Sequence, residues 1–499
     1  MTANGLLQLV TVDGQHALSD YAAVAHLAPA VRELQAEAAG LLPRLAGRTV
    51  WMVSSTARGG GVAELIPPMI ALLRDLGVRA EWVVIGSDDP DFFVLTKHIH
   101  NLVHGVGPPR FDESARTLFE RVNRANADAL RAKLRPGDVL VVHDPQPLPI
   151  AGMLRADMPL SAVWRCHIGL DSETPATRAA WAFMAPYLDG YDHAVFSAPE
   201  YIPQRLAGRA TVIAPGIDPL SCKNMELSLR HTVEVLCNSG LATPPGPIVH
   251  PPFVPQARRM LPDGTFAPAS AMEDIGLLTR PIVSQVSRWD RLKGWLPLLQ
   301  AFAALKQSIF EGGAGTDRLH HRRLDLVRLV LAGPDPDVIQ DDPEGREVLA
   351  ELGAAYAALH PAVQDDIALV ALPMESRDAN ALMVNALHRA STLVVQNSLR
   401  EGFGLTIAEA MWKRVPVLSN SRACGPRQQI RDGLDGRLIA DPEDVTELRR
   451  ALDTVLADSE GRHRWGGNAQ RRVHELFLGI GQLRRWGELF SRLPPFATG

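Results

Sequence analysis

The sequence predicts an α/β protein made of two doubly wound domains, each with a parallel sheet between layers of helices. Short runs rich in Val, Ile and Leu alternate with longer helical stretches along most of the chain. These runs are apolar on both faces, as are the strands of a buried parallel sheet. The chain has 499 residues, which exceeds the ~250–300 residues over which a single core usually extends. Two large domains are therefore the simplest arrangement.

The composition is that of an ordinary globular protein, with 46% hydrophobic and 21% charged residues. A net charge of -5 provides no general attraction to nucleic acid or to an anionic membrane. No apolar run approaches the ~20 residues of a membrane-spanning helix, and the N-terminus does not resemble a signal peptide. The four widely spaced cysteines suit a reducing compartment. We therefore expect a cytoplasmic protein with no nucleic-acid partner and no membrane insertion.

Six strands are predicted in the first half of the chain and five in the second. They cover residues 48–55, 79–86, 137–144, 161–168, 193–198, 211–216, 281–287, 327–333, 366–372, 391–397 and 415–420. A proline-rich stretch at 243–270 separates the two series, and prolines suit neither sheet. We therefore predict domains at 1–275 and 276–477, with a C-terminal helix at 478–496 that packs back on the first domain.

The first motif is STARGGGVAE (55–64), in which three glycines join the first predicted strand to a helix. Glycine lets a ligand approach the backbone, and the free N–H groups of a helix start favour an anion or a sugar hydroxyl. The spacing matches neither G-x-G-x-x-G nor the P-loop pattern. A plain tight turn is the alternative interpretation.

Two cations, Arg288 and Lys293, follow the first predicted strand of the second domain. Ligands of doubly wound sheets bind beyond the carboxyl ends of the strands, so this is a position where an anion would be held. A diphosphate suits the pair, because Arg offers a planar fork of donors and Lys a point charge. The alternative is a solvated positive loop.

The third motif contains Glu401 and Glu409, with the sequence GFGL (402–405) opening a helix between them. The helix start offers backbone donors, Glu409 could reach ribose hydroxyls, and Glu401 could meet a sugar hydroxyl. Eight helical residues span ~12 Å. This disfavours a glycosidase pair, whose carboxylates are about 5–9.5 Å apart. The alternative is a capped helix with two solvated glutamates.

The spacing E-x(7)-E, with R-x(4)-K upstream, resembles retaining glycosyltransferases of family GT4, which have the GT-B fold of two Rossmann-like domains facing a central cleft. From about residue 45 to 480 the chain is similar to one branch, the trehalose glycosyltransferring synthases and the fungal trehalose phosphorylases. The stretches that carry this resemblance are LTKHIHN (95–101), VVHDPQPL (141–148), WRCHIGLD (164–171), QVSRWDRLKGW (285–295) and REGFGLTIAEAMWK (400–413).

The resemblance implies transfer of glucose, with retention, from a nucleoside diphosphate glucose to a small sugar acceptor, glucose itself, to give trehalose. It implies no metal and no cofactor beyond this donor substrate. The implied catalytic residues are Arg288, Lys293, Glu401 and His167. The implied donor-binding residues are Gly60, Gly61, Gly402, Phe403, Gly404, Leu405 and Glu409. The implied acceptor-binding residues are Asp144, Gln146 and His100.

Several alternatives stay open at this point. Relatives usually carry a Gly-Gly pair where this chain has RACGPRQQI (422–430), so the identity of the hexose is open. A trehalose phosphorylase would use phosphate in place of the nucleotide, and a catalytically silent sugar-binding protein would use neither. A metal site at His98, His100 and His104 and a D-x-D site in either DPD are weaker alternatives. The nucleotide base and the oligomeric state, a homodimer included, are also open.

Overall fold

The computed structural model describes residues 6–57, 61–244, 252–310, 318–336 and 343–494. The chain divides into two compact units. The first unit comprises Met1–Asp218 and Leu476–Gly499, and the second comprises Pro219–Glu475. Each unit holds one largely parallel sheet with helices, so the predicted α/β class is confirmed. No helix among the described residues combines the length and the hydrophobicity that crossing a membrane requires.

The sheet of the first unit has seven strands. They are β1 (Leu7–Val10), β2 (Thr49–Ser54), β3 (Arg79–Ile85), β4 (Val139–His143), β5 (Ser161–Cys166), β6 (His193–Phe196) and β7 (Ala210–Val212). Their order is β1-β3-β2-β4-β5-β6-β7, and every pair is parallel except β1 with β3. The carboxyl ends of β4 and β5 therefore lie side by side, and the loops that follow them meet.

Seven α-helices of this unit come before β6 in the sequence. They are α1 (Leu18–Ala23), α2 (Ala28–Leu45), α3 (Gly61–Asp75), α4 (Pro90–Val103), α5 (Ala115–Arg131), α6 (Ile150–Arg155) and α7 (Pro175–Met184). The C-terminal helix, Gly479–Arg492, also belongs to this unit and packs on α2 and α3 through an apolar face. Gly216 allows the returning chain to pass, because a Cβ there would lie 2.7 Å from the backbone of Leu478.

The sheet of the second unit has eight strands. They are β8 (Arg258–Met260), β9 (Phe266–Pro268), β10 (Ile282–Val286), β11 (Arg328–Pro334), β12 (Ile367–Leu372), β13 (Leu393–Val395), β14 (Val417–Asn420) and β15 (Gly436–Ile439). Their order is β15-β14-β13-β10-β11-β12-β8-β9. All pairs are parallel except β12 with β8 and β8 with β9.

The helices of this unit number ten among the described residues. They are α8 (Leu229–Asn238), α9 (Trp295–Phe310), α10 (Arg318–Leu326), α11 (Pro343–Ala357), α12 (Pro361–Gln364), α13 (Arg377–Ala390), α14 (Leu405–Trp412), α15 (Cys424–Gln429), α16 (Val445–Ala457) and α17 (Ser459–Leu476). Alternate residues of β11 point to opposite faces of the sheet, so Leu329 and Leu331 join one apolar cluster and Val330 and Ala332 another. This is why the strand is apolar throughout.

Two expectations about the middle of the chain are corrected. The proline-rich stretch 243–270 does join a sheet, because β8 contains no proline and Pro268 ends β9 on the edge of the sheet, where no N–H is needed. The boundary between the units lies at Asp218/Pro219 rather than near residue 275. The reason is that α8 packs on α13 and β8 pairs with β12, which places the intervening residues in the second unit.

Candidate active site

In the second unit, the loop after β10 is fastened to the loop after β13. The N–H of Asn397 donates to Oε1 of Gln285 at 2.9 Å, and Nδ2 of Asn397 donates to the carbonyl of Gly294 at 3.1 Å. Gly294 has a φ of 60°, and a Cβ there would collide with the carbonyl of Asn397. The two loops thus form one surface at the carboxyl edge of the sheet, where ligands of such folds bind.

Lys293 and Glu401 meet on this surface. Nζ of Lys293 lies 2.6 Å from Oε2 of Glu401, and the hydroxyl of Ser398 donates to the same oxygen at 3.0 Å. The side chains of Lys293 and Glu401 are only 15% and 14% exposed. The structure therefore brings together two residues that the sequence predicted from separate motifs, and it makes each the charge partner of the other.

Arg288 is held much more loosely than Lys293. Its side chain is 67% exposed, and its guanidinium lies 3.4 Å from a carboxylate oxygen of Asp290. Nε1 of Trp295 donates to the carbonyl of Arg288 at 3.1 Å, which fixes the backbone and leaves the side chain in solvent. Arg288 thus offers an exposed fork of donors beside the carboxyl end of β10, a geometry that suits a phosphate.

The GFGL stretch turns sharply into α14. Gly404 is the residue before the helix and has a φ of 81°, and a Cβ there would lie 2.9 Å from Cγ of Glu401. Phe403 is buried, and Nε2 of Gln429 donates to its carbonyl at 2.5 Å. Gly402 and Leu405 are partly exposed. The first two N–H groups of α14 have no acceptor within the helix, so they can serve an anion, whereas the third donates to the carbonyl of Gly404 at 3.0 Å.

Gly425, the single glycine of the RACGPRQQI stretch, is required by packing. A Cβ on it would collide with the carbonyl of Phe403, and its N–H donates to the carbonyl of Glu401 at 3.3 Å. The glycine that this chain keeps is therefore the one that supports the GFGL loop.

Glu409 is buried on α14 and is not the solvated glutamate of the alternative interpretation. One of its carboxylate oxygens lies 3.7 Å from Nζ of Lys223. Nζ of Lys413 donates to the backbone carbonyl of Glu409 at 2.9 Å and to Oδ1 of Asn224 at 3.1 Å. Burial lowers the pKa of Lys413 to about 7, although the charge of Glu409 opposes this shift.

Sequence reasoning missed the two lysines beside Glu409 and the asparagine that binds one of them. Lys413 follows Glu409 by one helical turn, which was a usable signal. Lys223 and Asn224 lie in a distant part of the sequence, at the start of the second unit, and no local pattern marked them.

In the first unit, Asp144 and His167 lie together where β4 and β5 end. The N–H of His167 donates to Oδ1 of Asp144 at 2.8 Å, and Nε1 of Trp164 donates to the carbonyl of Asp144 at 3.0 Å. Asp144 has a φ of 62°. Burial raises the pKa of Asp144 to about 6, against the hydrogen bond from His167 and the charge of Arg165. Asp144 therefore stays protonated to a higher pH than an ordinary carboxylic acid.

Two buried neighbours of this pair were also missed. Nδ1 of His143 lies 3.0 Å from Nε2 of His167. Arg165 is fully buried and donates to the carbonyl of Phe196 at 2.9 Å. Burial lowers the pKa of Arg165 to about 10, and burial followed by the charge of Arg165 lowers the pKa of His143 to about 3. Both residues lie within buried strands, where a polar side chain cannot be recognised as functional from sequence alone.

The remaining predicted residues of the first unit lie on three further segments. The carbonyl of Gln146 accepts from Nδ2 of Asn123 at 3.1 Å, and its buried side-chain oxygen makes no hydrogen bond within the described residues. His100 lies on α4, with its ring centroid 4.9 Å from that of His104. Gly61 is the exposed first residue of α3, whereas Gly60 lies outside the described residues.

The described part of the chain contains no group of three or more His, Cys, Asp or Glu side chains placed to hold a metal ion. Nε2 of His98 is instead 3.0 Å from the carbonyl of Arg110. In the first DPD, Asp89 caps α4 by accepting from the N–H of Asp91 at 3.1 Å. Asp337 of the second DPD lies outside the described residues.

The sequence matches two protein families. Residues 52–203 match the family described as trehalose synthase, N-terminal domain, and residues 380–472 match glycosyl transferases group 1. The trehalose synthase of Thermococcus litoralis is 32% identical over 444 residues, which are 88% of this chain and 89% of the relative. That of Rubrobacter xylanophilus is 31% identical over 484 residues, 96% of this chain and 98% of the relative.

Trehalose phosphorylase of Grifola frondosa is more distant, at 25% identity over 80% of this chain and 51% of that protein. Among solved structures, the α,α-trehalose-phosphate synthase (UDP-forming) of Burkholderia vietnamiensis superposes with a TM-score of 0.62 at 17% identity, covering 89% of this chain and 98% of that one. The Burkholderia xenovorans enzyme, in complex with glucose-6-phosphate, gives 0.61 at 17% identity, with 89% and 100% covered. These structures share the fold.

Proposed function

Because the chain belongs to the trehalose synthase family and has the GT-B fold, we propose that it transfers glucose from a nucleoside diphosphate glucose to glucose, with retention, to give trehalose. The family makes the protein a hexosyltransferase. The observation that carries the proposal is the pairing of Lys293 with Glu401 at the edge where β10 and β13 end. The cation Lys293, which suits a phosphate, and the carboxylate Glu401, which suits a sugar hydroxyl, are in contact there.

In the proposed donor complex, Arg288 and Lys293 bind the diphosphate together with backbone N–H groups of residues 402–405. Glu401 accepts from a hydroxyl of the donor sugar, and Glu409 accepts from the ribose. The burial of Lys293 and Glu401 supports this, because hydrogen bonds to charges are stronger where water is excluded. One well-placed donor to the developing phosphate charge is worth about 3 kcal/mol.

The first unit supplies the proposed acceptor site, with His100 as a further contact. Oδ2 of Asp144 and Oε1 of Gln146 make no hydrogen bond within the described residues. The amide oxygen of Gln146 accepts hydrogen bonds at any pH, and Oδ2 of Asp144 accepts them when the carboxylate is ionised. Hydroxyls of a neutral sugar are suitable donors for both atoms. This array suits a small polyhydroxylated acceptor better than a charged one.

The proposed reaction forms no covalent enzyme intermediate. The acceptor hydroxyl oxygen bonds to the anomeric carbon on the face that the phosphate leaves, and its proton passes to the departing phosphate oxygen. Lys293 and Arg288 hold the charge that grows on that phosphate, so the proposal requires no metal and no further cofactor. It requires a nucleotide sugar and a small sugar, and it does not require a homodimer. None of the four cysteines, all of which lie in the described part of the chain, forms a disulfide bond, and this supports a reducing, cytoplasmic setting.

The decisive experiment offers the purified protein UDP-, ADP- or GDP-glucose with isotopically labelled glucose and separates the products. Labelled trehalose that forms only with a nucleotide sugar supports the proposal. Inorganic phosphate and trehalose are offered in parallel, because the family's more distant relatives are named trehalose phosphorylases. Glucose 1-phosphate formation without any nucleotide-dependent trehalose would replace the proposal with a phosphorylase. Trehalose binding without turnover in either assay would indicate a sugar-binding protein.

A further inference from the structure

We infer that His143 is a positioning residue that fixes the tautomer of His167, so that His167 presents the lone pair of Nδ1 to a hydroxyl of the sugar substrate. The identity of that substrate rests on the proposed function. The tautomer itself does not, because it follows from three atoms of the free protein.

The first two atoms are the facing ring nitrogens. His143 ends β4 and His167 follows β5, and these strands are parallel neighbours. Nδ1 of His143 lies 3.0 Å from Nε2 of His167, and the rings are within 12° of parallel. His143 is 3% exposed, so no water substitutes for this contact. Only one proton fits between the two nitrogens, so one histidine donates and the other accepts.

The third atom decides which histidine donates. Nε2 of His143 lies 3.5 Å from the sulfur of Met52, and a thioether can only accept a hydrogen bond. His143 satisfies both of its contacts only with its proton on Nε2, which leaves Nδ1 as an acceptor. His167 must then carry its proton on Nε2. If His143 carried its proton on Nδ1 instead, the lone pair of its Nε2 would face the lone pairs of the Met52 sulfur, which is unfavourable.

The consequence falls on the other nitrogen of His167. With the proton on Nε2, Nδ1 of His167 carries a lone pair, and within the described residues no hydrogen bond to it is found. The N–H of His167 meanwhile holds Oδ1 of Asp144 at 2.8 Å. His167 and Asp144 therefore offer two acceptor atoms from adjacent strand ends, which suits two hydroxyls of one sugar ring.

The surrounding charges keep this arrangement neutral. Burial, followed by the buried guanidinium of Arg165, lowers the pKa of both His143 and His167. Asp144 is the nearby carboxylate, and its own pKa is raised by burial, so it offers a weak counter-charge at mildly acidic pH. A neutral pair has one proton between its rings, as the inference requires.

The test is a two-bond ¹H–¹⁵N correlation spectrum of the full chain labelled with ¹⁵N-histidine, assigned with His143→Asn and His167→Asn. The chemical shift of each ring nitrogen reports whether it carries a proton. We expect both residues to be protonated on Nε2 and bare on Nδ1. A proton on Nδ1 of either residue in the free wild-type protein would overturn the inference.

Two further variants test the chain of contacts. Met52→Leu keeps the volume and removes the acceptor, so a signal for His143 protonated on Nδ1 should appear; an unchanged spectrum would show that Met52 does not set the tautomer. His143→Phe should mix the tautomers of His167 and lower kcat/KM about tenfold. His143→Asn should retain more activity, because Oδ1 of Asn can accept from Nε2 of His167. Equal activity of the Phe and Asn variants would contradict the positioning role.

The spectra and the enzyme assay fail independently. A protein that makes no trehalose yet shows the expected tautomers would refute the proposed function and leave the histidine arrangement intact. A protein that makes trehalose with the opposite tautomers would refute the inference alone.

Discussion

Nζ of Lys293 lies 2.6 Å from Oε2 of Glu401, although the two residues are 108 positions apart in the chain. The contact joins the two loops that follow β10 and β13, which are parallel neighbours in the sheet. Both side chains are mostly buried, so neither charge is left without a partner when no ligand is bound. In the proposed donor complex, a phosphate would share Lys293 with Glu401, and diphosphate binding would then be coupled to the position of the carboxylate.

We expect Lys293→Ala and Glu401→Ala each to lower kcat/KM for trehalose formation by at least about a hundredfold, because each removes a mostly buried charge that would contact the donor in the proposed complex and breaks its ion pair with the other residue. The measurement is steady-state kinetics with a nucleoside diphosphate glucose. Circular dichroism checks that each variant is folded.

Arg291 provides a matched control in the same short helix, Arg291–Lys293. Its guanidinium lies 2.8 Å from Glu351, and its side chain is 53% exposed. Exposed ion pairs contribute about 0–1 kcal/mol, so Arg291→Ala should leave kcat/KM nearly unchanged. Equal losses in Arg291→Ala and Lys293→Ala would show that the helix matters and the Lys293 charge does not.

Glu409→Gln should weaken the binding of a nucleoside diphosphate about tenfold, because an amide accepts a weaker hydrogen bond from ribose than a carboxylate does. Isothermal titration calorimetry gives the affinity. Glucose 1-phosphate is the control ligand, since it carries a phosphate and a sugar but no ribose. If its affinity falls by the same factor, Glu409 supports the site as a whole and does not bind the ribose.

The sequence predicts the buried strands well and the edge strands poorly. The run 137–144 contains β4 (Val139–His143), because a central parallel strand is apolar on both faces. β1 (Leu7–Val10) was not predicted, since it is a short antiparallel edge strand whose residues are partly exposed. β8 and β9 were hidden by the prolines around them, which an edge position tolerates.

Some residues of the candidate site are likewise visible in the sequence, and others are not. Glu401, Glu409 and Lys293 stand in local motifs with a fixed spacing, so the sequence alone is enough to select them as candidates. Lys223 reaches Glu409 across 186 positions, and that contact exists only once the start of the second unit has packed on α14. Tertiary contacts of this kind leave no periodic signal along the chain.

Gly404→Ala should lower kcat/KM about tenfold or more, because the new Cβ would lie 2.9 Å from Cγ of Glu401 and push the carboxylate away from Lys293. Gly433→Ala is the control: its φ of 72° is close to the 81° of Gly404, and no other atom lies within 4 Å of the place that its Cβ would take. Both variants carry the cost of a left-handed alanine, about 1–2 kcal/mol, but only Gly404→Ala should lose activity. Equal kcat/KM values in the two variants would exclude this steric explanation.

The KM for the acceptor sugar should rise as the pH falls through about 6, the value to which burial raises the pKa of Asp144. A protonated Asp144 loses an acceptor for the sugar hydroxyl, and one pH unit below the pKa only about a tenth of the carboxylate is ionised. Unfolding is not the cause of this effect. Burial raises the pKa of Asp144 in the folded protein from 3.8 to about 6. As the pH falls between these two values, the folded state binds a proton that the unfolded state does not, so the folded protein becomes more stable.

Asp144→Asn separates this titration from others in the protein. Its amide oxygen can still accept from the N–H of His167, which Oδ1 of Asp144 does at 2.8 Å, so the loop should keep its shape. The amide nitrogen would replace Oδ2 with a donor, so the acceptor KM should be high at every pH and independent of pH. The measurement is acceptor KM from pH 5 to 8 at saturating donor, in wild type and variant, a range that brackets the wild-type pKa of about 6. If the variant keeps the wild-type pH dependence, a different group titrates and Asp144 does not bind the acceptor.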